Sequence, residues 1–289
     1  MTAIRQLELS AGTIEYLDTG GTGPAIVLLH GLLMDATLWD AVIAALPGQR
    51  CVAPTLPLGA HRQPMLPDAD LSLPAIARLV SEFLDELELT GVTLVGNDTG
   101  GAIVQLVITG GAPRVSRVVL VSCDAFGNFP PGLTGKTLAL SGKLPGWAFR
   151  LIMEQLRLRP ARRLPIAFGW LTKRGDAATA RWIKQALSQR AIRRDAVRML
   201  RSVFADRRLL IRTAERLPGF AGPALVAWAA EDRVMPPEHG RQLAELLQDA
   251  RLTEIQDSYT LIPLDQPDAL ARSIAEFVRA PGRTQRAET

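Results

Sequence analysis

An aspartate framed by glycines closes an apolar, β-branched run: Val92-Thr93-Leu94-Val95-Gly96-Asn97-Asp98-Thr99-Gly100-Gly101. The pattern reads as a buried strand, a turn too tight for side chains on its flanks, and a buried helix through Ala102–Ile108. Such a turn lifts residue 98 to the top of a sheet, beside the free amides of a helix N-terminus. A carboxylate placed there can attack carbon or accept a proton. The bland reading of the same Asp is a helix N-cap, and the motif alone does not separate the two.

The groups available to assist it are few. The chain has three histidines, His30, His61 and His239, and none follows residue 239. His30 ends the apolar run Ala25–Leu29, His61 lies in a Pro-rich loop expected to be solvated, and His239 falls on a helix surface. Cys51 and Cys123 fall at strand ends, where buried reduced thiols are expected. No Cys/His cluster has metal-ligand spacing, so neither metal nor cofactor is expected.

The elements that must position Asp98 can be read in order. Ile4–Leu9 and Thr13–Leu17 alternate around Ala11-Gly12 as an edge hairpin. Strands are expected at Ala25–Leu29, Arg50–Ala53, Val92–Val95 and Arg117–Ser122. Asp35 can cap a helix through Leu46, and Ser72–Leu89 is an amphipathic helix. This alternation of strand and helix implies a parallel sheet covered on both faces. From Asp124 to Gly222 the spacing turns helical, with helices expected over Pro145–Arg159, Ala161–Leu171, Ala177–Gln189 and Asp195–Phe204. The strand pattern resumes at Pro223–Trp228 and Arg251–Ile255, with helices at Glu238–Leu247 and Asp268–Arg279.

The glycine-framed Asp98, the strand ending in His30-Gly31-Leu32-Leu33, and Trp228-Ala229-Ala230-Glu231-Asp232-Arg233-Val234-Met235-Pro236 together resemble the α/β-hydrolase fold. The resemblance covers about 5–122 and 223–280. It implies a mostly parallel eight-stranded sheet with helices on both faces and an inserted helical cap, the core being 1–123 and 223–280 and the cap 124–222; by composition 281–289 reads as a disordered tail. It implies a nucleophile elbow at Asp98, an oxyanion site from the amides of Leu32 and Thr99, and an orienting acid at Asp232, with Asp124 as the alternative. An Asp in the elbow is similar to the haloalkane dehalogenase and epoxide hydrolase branch, in which a carboxylate forms an alkyl ester and a His–acid pair directs water at it. In the family a pattern close to Asp-Ser-Gly-His follows the last strand; here the residues are Asp257-Ser258-Tyr259-Thr260, and Thr260 stands where the His belongs. Dehalogenases often carry a halide-binding Trp and Asn at the positions of Thr99 and Leu32, and epoxide hydrolases use cap tyrosines, whereas Tyr16 and Tyr259 both lie outside the cap.

Composition bounds the rest. With 289 residues and 47% apolar content the chain can bury a large core. Its apolar runs are too short to cross a bilayer and its start lacks a signal-peptide layout, which points to a cytoplasmic protein with neither membrane nor nucleic acid as partner. Residues 124–222 carry 20 Lys and Arg against 6 Asp and Glu in a chain of net charge +4, so the rest is acidic. Those cations solvate helix faces or meet an acidic or carrier-bound small-molecule substrate. Trp147, Trp170 and Trp182 in the cap, with His30 and Tyr259, are the candidate substrate contacts. The expectation is a cofactor-independent enzyme using Asp98 in an atypical, non-hydrolytic reaction such as a cyclisation, elimination or isomerisation. The alternatives are a slow dehalogenase- or epoxide-hydrolase-like hydrolase and a catalytically silent ligand-binding protein.

Overall fold

Residues 3–280 are described by a computed structural model, and the tail 281–289 lies outside the described residues. The strands are β1 (Ala3–Leu9), β2 (Gly12–Asp18), β3 (Ile26–Leu29), β4 (Cys51–Pro54), β5 (Val92–Asp98), β6 (Val115–Cys123), β7 (Pro223–Ala229) and β8 (Asp249–Ile255). They form one sheet in the order β1-β2-β4-β3-β5-β6-β7-β8. The hairpin partners β1 and β2 are antiparallel, as are β2 and β4; every other pairing is parallel.

The helices are α1 (Asp40–Ala44), α2 (Leu73–Glu86), α3 (Thr99–Thr109), α4 (Gly132–Ser141), α5 (Gly146–Gln155), α6 (Arg159–Arg162), α7 (Asp176–Leu187), α8 (Arg190–Val203), α9 (Leu209–Ala214), α10 (Pro237–Leu246), α11 (Ile262–Asp265) and α12 (Pro267–Arg279). Helices α4 to α9 all fall between β6 and β7, so this insertion adds helices but no strand among its described residues.

The pattern of burial explains why β5 carries the site. It sits between β3 and β6, and all seven of its residues are buried, as a central parallel strand requires. Helix α3 packs on β5 and β6 and is itself buried along most of its length. On α2 the buried residues Ile76, Ala77, Val80, Phe83 and Leu84 recur at helical spacing, and Phe83 meets Tyr16 of the hairpin edge-on at 5.3 Å. A second pair, α1 and α12, packs together, with α12 against β7 and β8. Both cysteines are buried and free, and burial pushes the Cys51 thiol up to about 11.

The insertion differs from its sequence pattern at α4, α6, α8 and α9, the last (Leu209–Ala214) lying where no helix is expected. The helix expected over Ala161–Leu171 stops at Arg162 and resumes as a short 3-10 turn, Phe168–Leu171. Pro165 lies between them and can neither donate to a helix nor fit beside the preceding turn. Helix α8 begins at Arg190, before the expected Asp195. Helix α4 was absent from the expected set because it has no single apolar stripe: Thr134 and Gly135 are buried, while Leu133 and Leu140 face outward. The signal that could have found it is the Pro130-Pro131 pair, since Pro favours helix starts.

Buried polar contacts tie the insertion to the sheet domain. Trp182 Nε1 donates to Asp35 Oδ1 at 3.0 Å, and the Met65 amide donates to Asp195 Oδ2 at 2.9 Å. His61, expected in solvent, is 2% exposed, and its Nε2 lies 3.6 Å from Asp195 Oδ2. At the other end Asp265 accepts from the Thr172 hydroxyl at 2.6 Å and from the amides of Lys173 and Arg174.

Candidate active site

Asp98 sits at the β5–α3 junction with φ 56° and ψ −129°, a left-handed backbone that a non-glycine residue adopts only when its surroundings hold it there. Glycine provides the room. A side chain at Gly100 would collide with the Leu29 carbonyl, and one at Gly31 with the Asp98 carboxylate. The Asp98 side chain does not turn back onto the second or third amide of α3 as a helix cap would.

The backbone amides of Thr99 and Leu32 hydrogen-bond the Asp98 carboxylate and favour its charged form. Burial opposes them more strongly. Desolvation first, and then the charge of Asp232, push the Asp98 pKa up to about 7. Asp124, fully buried beside it, is raised well above the ordinary carboxylate range by desolvation and by the Asp98 charge. Thr99 Oγ1 donates to Asp124 Oδ2 at 2.7 Å, and the Asp124 amide donates to the Asp98 carbonyl at 3.3 Å.

Asp232 occupies the turn after β7. Its Oδ1 accepts from the amides of Val234 and Met235 at 2.9 and 2.8 Å and from Thr260 Oγ1 at 2.7 Å. Burial raises its pKa, against the hydrogen bonds of Met235, Val234 and Thr260. The structure thus gathers Asp98, Asp124, Asp232, Thr260, Leu32 and Thr99 around one strand end. Asn97, which sequence reasoning did not single out, joins these parts: its Nδ2 donates to the carbonyls of Val121 and Thr260 at 2.9 and 2.8 Å. Among the described residues, no cation acts on any of the three carboxylates. Without a counter-charge, burial and mutual repulsion favour the protonated forms of these carboxyls: Asp98 is pushed up to about 7, and Asp124 and Asp232 are raised.

Asp98 opens on a cavity of about 20 Å³, room for a single water. Leu32, Met34, Thr99 and Val234 line it from the sheet domain. Its roof is Pro131, Thr134, Gly135 and Leu138 at α4, with Phe168, Leu171 and Phe204. No Lys or Arg is among these residues, so an acidic substrate group would meet no cation there. The two hydroxyls on the wall are both engaged: Thr99 with Asp124, and Thr134 with the Pro165 carbonyl at 2.9 Å. Most of the roof residues escaped sequence reasoning because apolar side chains in an insertion carry no pattern that tells cavity from core.

None of the five side chains expected to touch substrate reaches this cavity. His30 is fully buried; its Nδ1–H donates to the Gly31 carbonyl at 2.9 Å and its Nε2 accepts from the Leu56 amide at 2.9 Å. Both ring nitrogens are therefore committed to bracing the turn, and burial holds the ring neutral, with its pKa lowered to about 4. Trp147 is 69% exposed on the outer face of the insertion. Trp182 is buried and donates to Asp35 and Thr37. Trp170 and Tyr259 both stack on the Arg233 guanidinium, at 4.4 and 3.9 Å.

The raised carboxylates have a consequence for stability. Asp98 and Asp124 bind protons more tightly in the folded chain than in the unfolded one. Their contribution is complete below the ordinary carboxylate value of 3.8 and is lost as pH rises through about 7 for Asp98. Asp98→Asn removes the Asp98 part. Urea denaturation at acidic and at alkaline pH is expected to give a gain in stability for the variant that grows with pH, by on the order of a few kcal/mol. A gain independent of pH would show that burial does not raise this carboxyl.

The eight-stranded, mostly parallel sheet with a carboxylate elbow after its fifth strand and helices inserted after its sixth defines an α/β-hydrolase fold. Residues 26–273 match the alpha/beta hydrolase family, and the chain belongs to it. It is 30% identical over 279 residues to haloalkane dehalogenase 2 of Mycobacterium tuberculosis, an alignment covering 94% of this chain and 93% of that one. It is 24% identical to a 2-hydroxy-6-oxononadienedioate/2-hydroxy-6-oxononatrienedioate hydrolase of Cupriavidus pinatubonensis, over 81% of this chain and 80% of the relative. Among solved structures, a haloalkane dehalogenase from Bradyrhizobium elkani superposes with a TM-score of 0.77 at 17% identity, over 96% of this chain and 98% of that one. A carboxylesterase from Bacillus subtilis reaches 0.70 at 16% identity, over 96% and 92%.

Proposed function

We propose that this protein is an enzyme in which Asp98 acts as a general base on a small, apolar substrate, in a cofactor-independent cyclisation, elimination or isomerisation, the substrate entering as the α4 roof moves aside, since the closed cavity holds a single water. The observation that carries this reading is the protonation chemistry of the cavity wall. Asp98 is the one titratable side chain lining the cavity, and its pKa of about 7 is matched to taking up and returning a proton near neutral pH. The position from which a histidine would direct water holds Thr260, whose hydroxyl is closed onto Asp232. A threonine hydroxyl does not serve as a base at neutral pH, so water attack on an ester has no promoter there.

A second reading is favoured by one specific observation. The amides of Leu32 and Thr99 face the Asp98 carboxylate itself, which is where negative charge would gather if water attacked an ester formed on Asp98. Together with the likeness to haloalkane dehalogenase 2, this supports a slow hydrolase that forms an alkyl ester. Against it stands the wall, which offers no free side-chain donor to a departing halide.

Mass spectrometry separates the two. After incubation with a short primary bromoalkane, the peptide carrying Asp98 is expected to keep its mass. An added alkyl group that persists at Asp98 would sink the general-base assignment and promote the hydrolase. In the preferred reading kcat/KM rises with pH through about 7, since the base must be ionised in the free enzyme.

A further inference from the structure

Large apolar side chains left in solvent are concentrated in one stretch of this chain. Among the described residues eleven are exposed, and eight of them lie between 133 and 166. Leu133 and Leu140 are on α4, Trp147, Leu151 and Ile152 on α5, and Leu158, Leu164 and Ile166 in the segment that follows. The spacing is helical but inverted, with apolar positions facing out. Leu133, Lys136 and Leu140 share one face of α4, and Trp147, Arg150 and Leu151 one face of α5. Across 133–166 Lys136 and Lys143 pair with no carboxylate among the described residues, Arg150 and Arg157 share Glu154, the one acidic side chain of the stretch, Arg159 and Arg163 reach Asp176, and Arg162 is buried on that same Asp176, so the exposed cations outnumber the acids they meet. Two basic grooves flank the face. One, of about 1000 Å³, holds Trp147, Arg150 and Arg190; the other, of about 450 Å³, holds Lys136, Leu140, Lys143 and Arg207.

We propose that this face is a docking surface for an anionic lipid bilayer, with the apolar side chains seated at the headgroup–acyl boundary and the cations on lipid phosphates. Charge selects the occupant. A second copy would set two strongly basic faces against each other, whereas an anionic membrane complements both the apolar and the cationic positions. Trp suits such a boundary because its ring is apolar and its N–H polar. Among the described residues no helix is long and apolar enough to cross a membrane, and surface docking needs none. The face also adjoins the cavity: α4 turns Leu133, Lys136 and Leu140 outward, while its buried Thr134 and Gly135 roof the Asp98 cavity.

The test is co-sedimentation with phosphatidylcholine vesicles, with and without phosphatidylserine. Binding is expected to the anionic vesicles alone, with Trp fluorescence quenched by brominated acyl chains and the quenching reduced in Trp147→Phe. The paired exposed-site variant Leu151→Glu/Leu158→Glu is expected to abolish sedimentation. Arg150→Glu should weaken it about tenfold or more, since each surface cation contributes on the order of 1 kcal/mol. Circular dichroism checks that each variant is folded. Asp98→Asn should bind vesicles like the parent chain, because docking is independent of what Asp98 does. Three outcomes would overturn the proposal: no sedimentation with anionic vesicles, sedimentation indifferent to Leu151→Glu/Leu158→Glu, or self-association without vesicles that this variant dissolves.

Discussion

Asp98→Asn is expected to reduce turnover by about 10²–10⁴-fold, the usual weight of a positioned general base. The substitution is close to isosteric, and the amide oxygen of Asn can still accept from Thr99 and Leu32, so the elbow keeps its shape. What is lost is the ability to take a proton. The fold does not depend on the charge, since burial already disfavours the ionised form. The variant should therefore be at least as stable as the parent chain and still bind a small apolar ligand. A variant that binds with unchanged affinity and turns over at the parent rate would remove Asp98 from the chemistry. One that loses affinity and activity together would show Asp98 acting through the shape of the cavity.

Thr260→His is the second large effect, and its sign separates the two readings of the site. Thr260 is fully buried, and its hydroxyl is bonded to Asp232. Its carbonyl is held by Asn97, which in turn is bonded to the Val121 carbonyl of β6. An imidazole here must find volume that the packing does not offer, at a cost of roughly 1–3 kcal/mol for overpacking. For a general-base enzyme, activity should fall, because the new ring crowds the strand end that positions Asp98. Stability should fall with it. For a stalled hydrolase the opposite result follows: the ring would accept orientation from Asp232 and direct water at the ester carbonyl, and turnover should rise. Measuring turnover and urea stability of the same preparation distinguishes a lost function from a lost fold.

Gly96, Asp98, Gly100 and Gly101 were legible in the sequence because a turn of this sharpness excludes side chains by hard contact, and only glycine meets that demand. The parallel strands were legible for a similar reason, since a strand buried on both faces must be a continuous apolar run. Asp232 and Thr260 could be set side by side only through the resemblance to the α/β-hydrolase fold, which puts an acid and a His at these positions; the hydrogen bond between them is seen only in the structure. Helix α4 and the roof it forms were not legible. Its apolar residues divide between an inner and an outer face, and periodicity reports a stripe only when one face is buried.

By itself the sequence determined which residues can do chemistry and which strand ends carry them, because those demands are local: backbone space, strand burial and helix spacing. Tertiary structure alone decided the protonation of the site. Nothing in the order of residues says that the carboxylates of Asp98, Asp124 and Asp232 are desolvated together with no cation beside them, and it is that desolvation that raises their pKa values. It also decided which residues do not take part. His30, adjacent in sequence to the elbow's neighbours and a plausible base by type, is withdrawn by two hydrogen bonds to the backbone of its own turn and of the loop beyond β4. The tryptophans of the insertion are likewise assigned by packing, one to the solvent face, one to a buried polar contact and one to an arginine, because residue type fixes what a side chain can do and only its neighbours decide what it does.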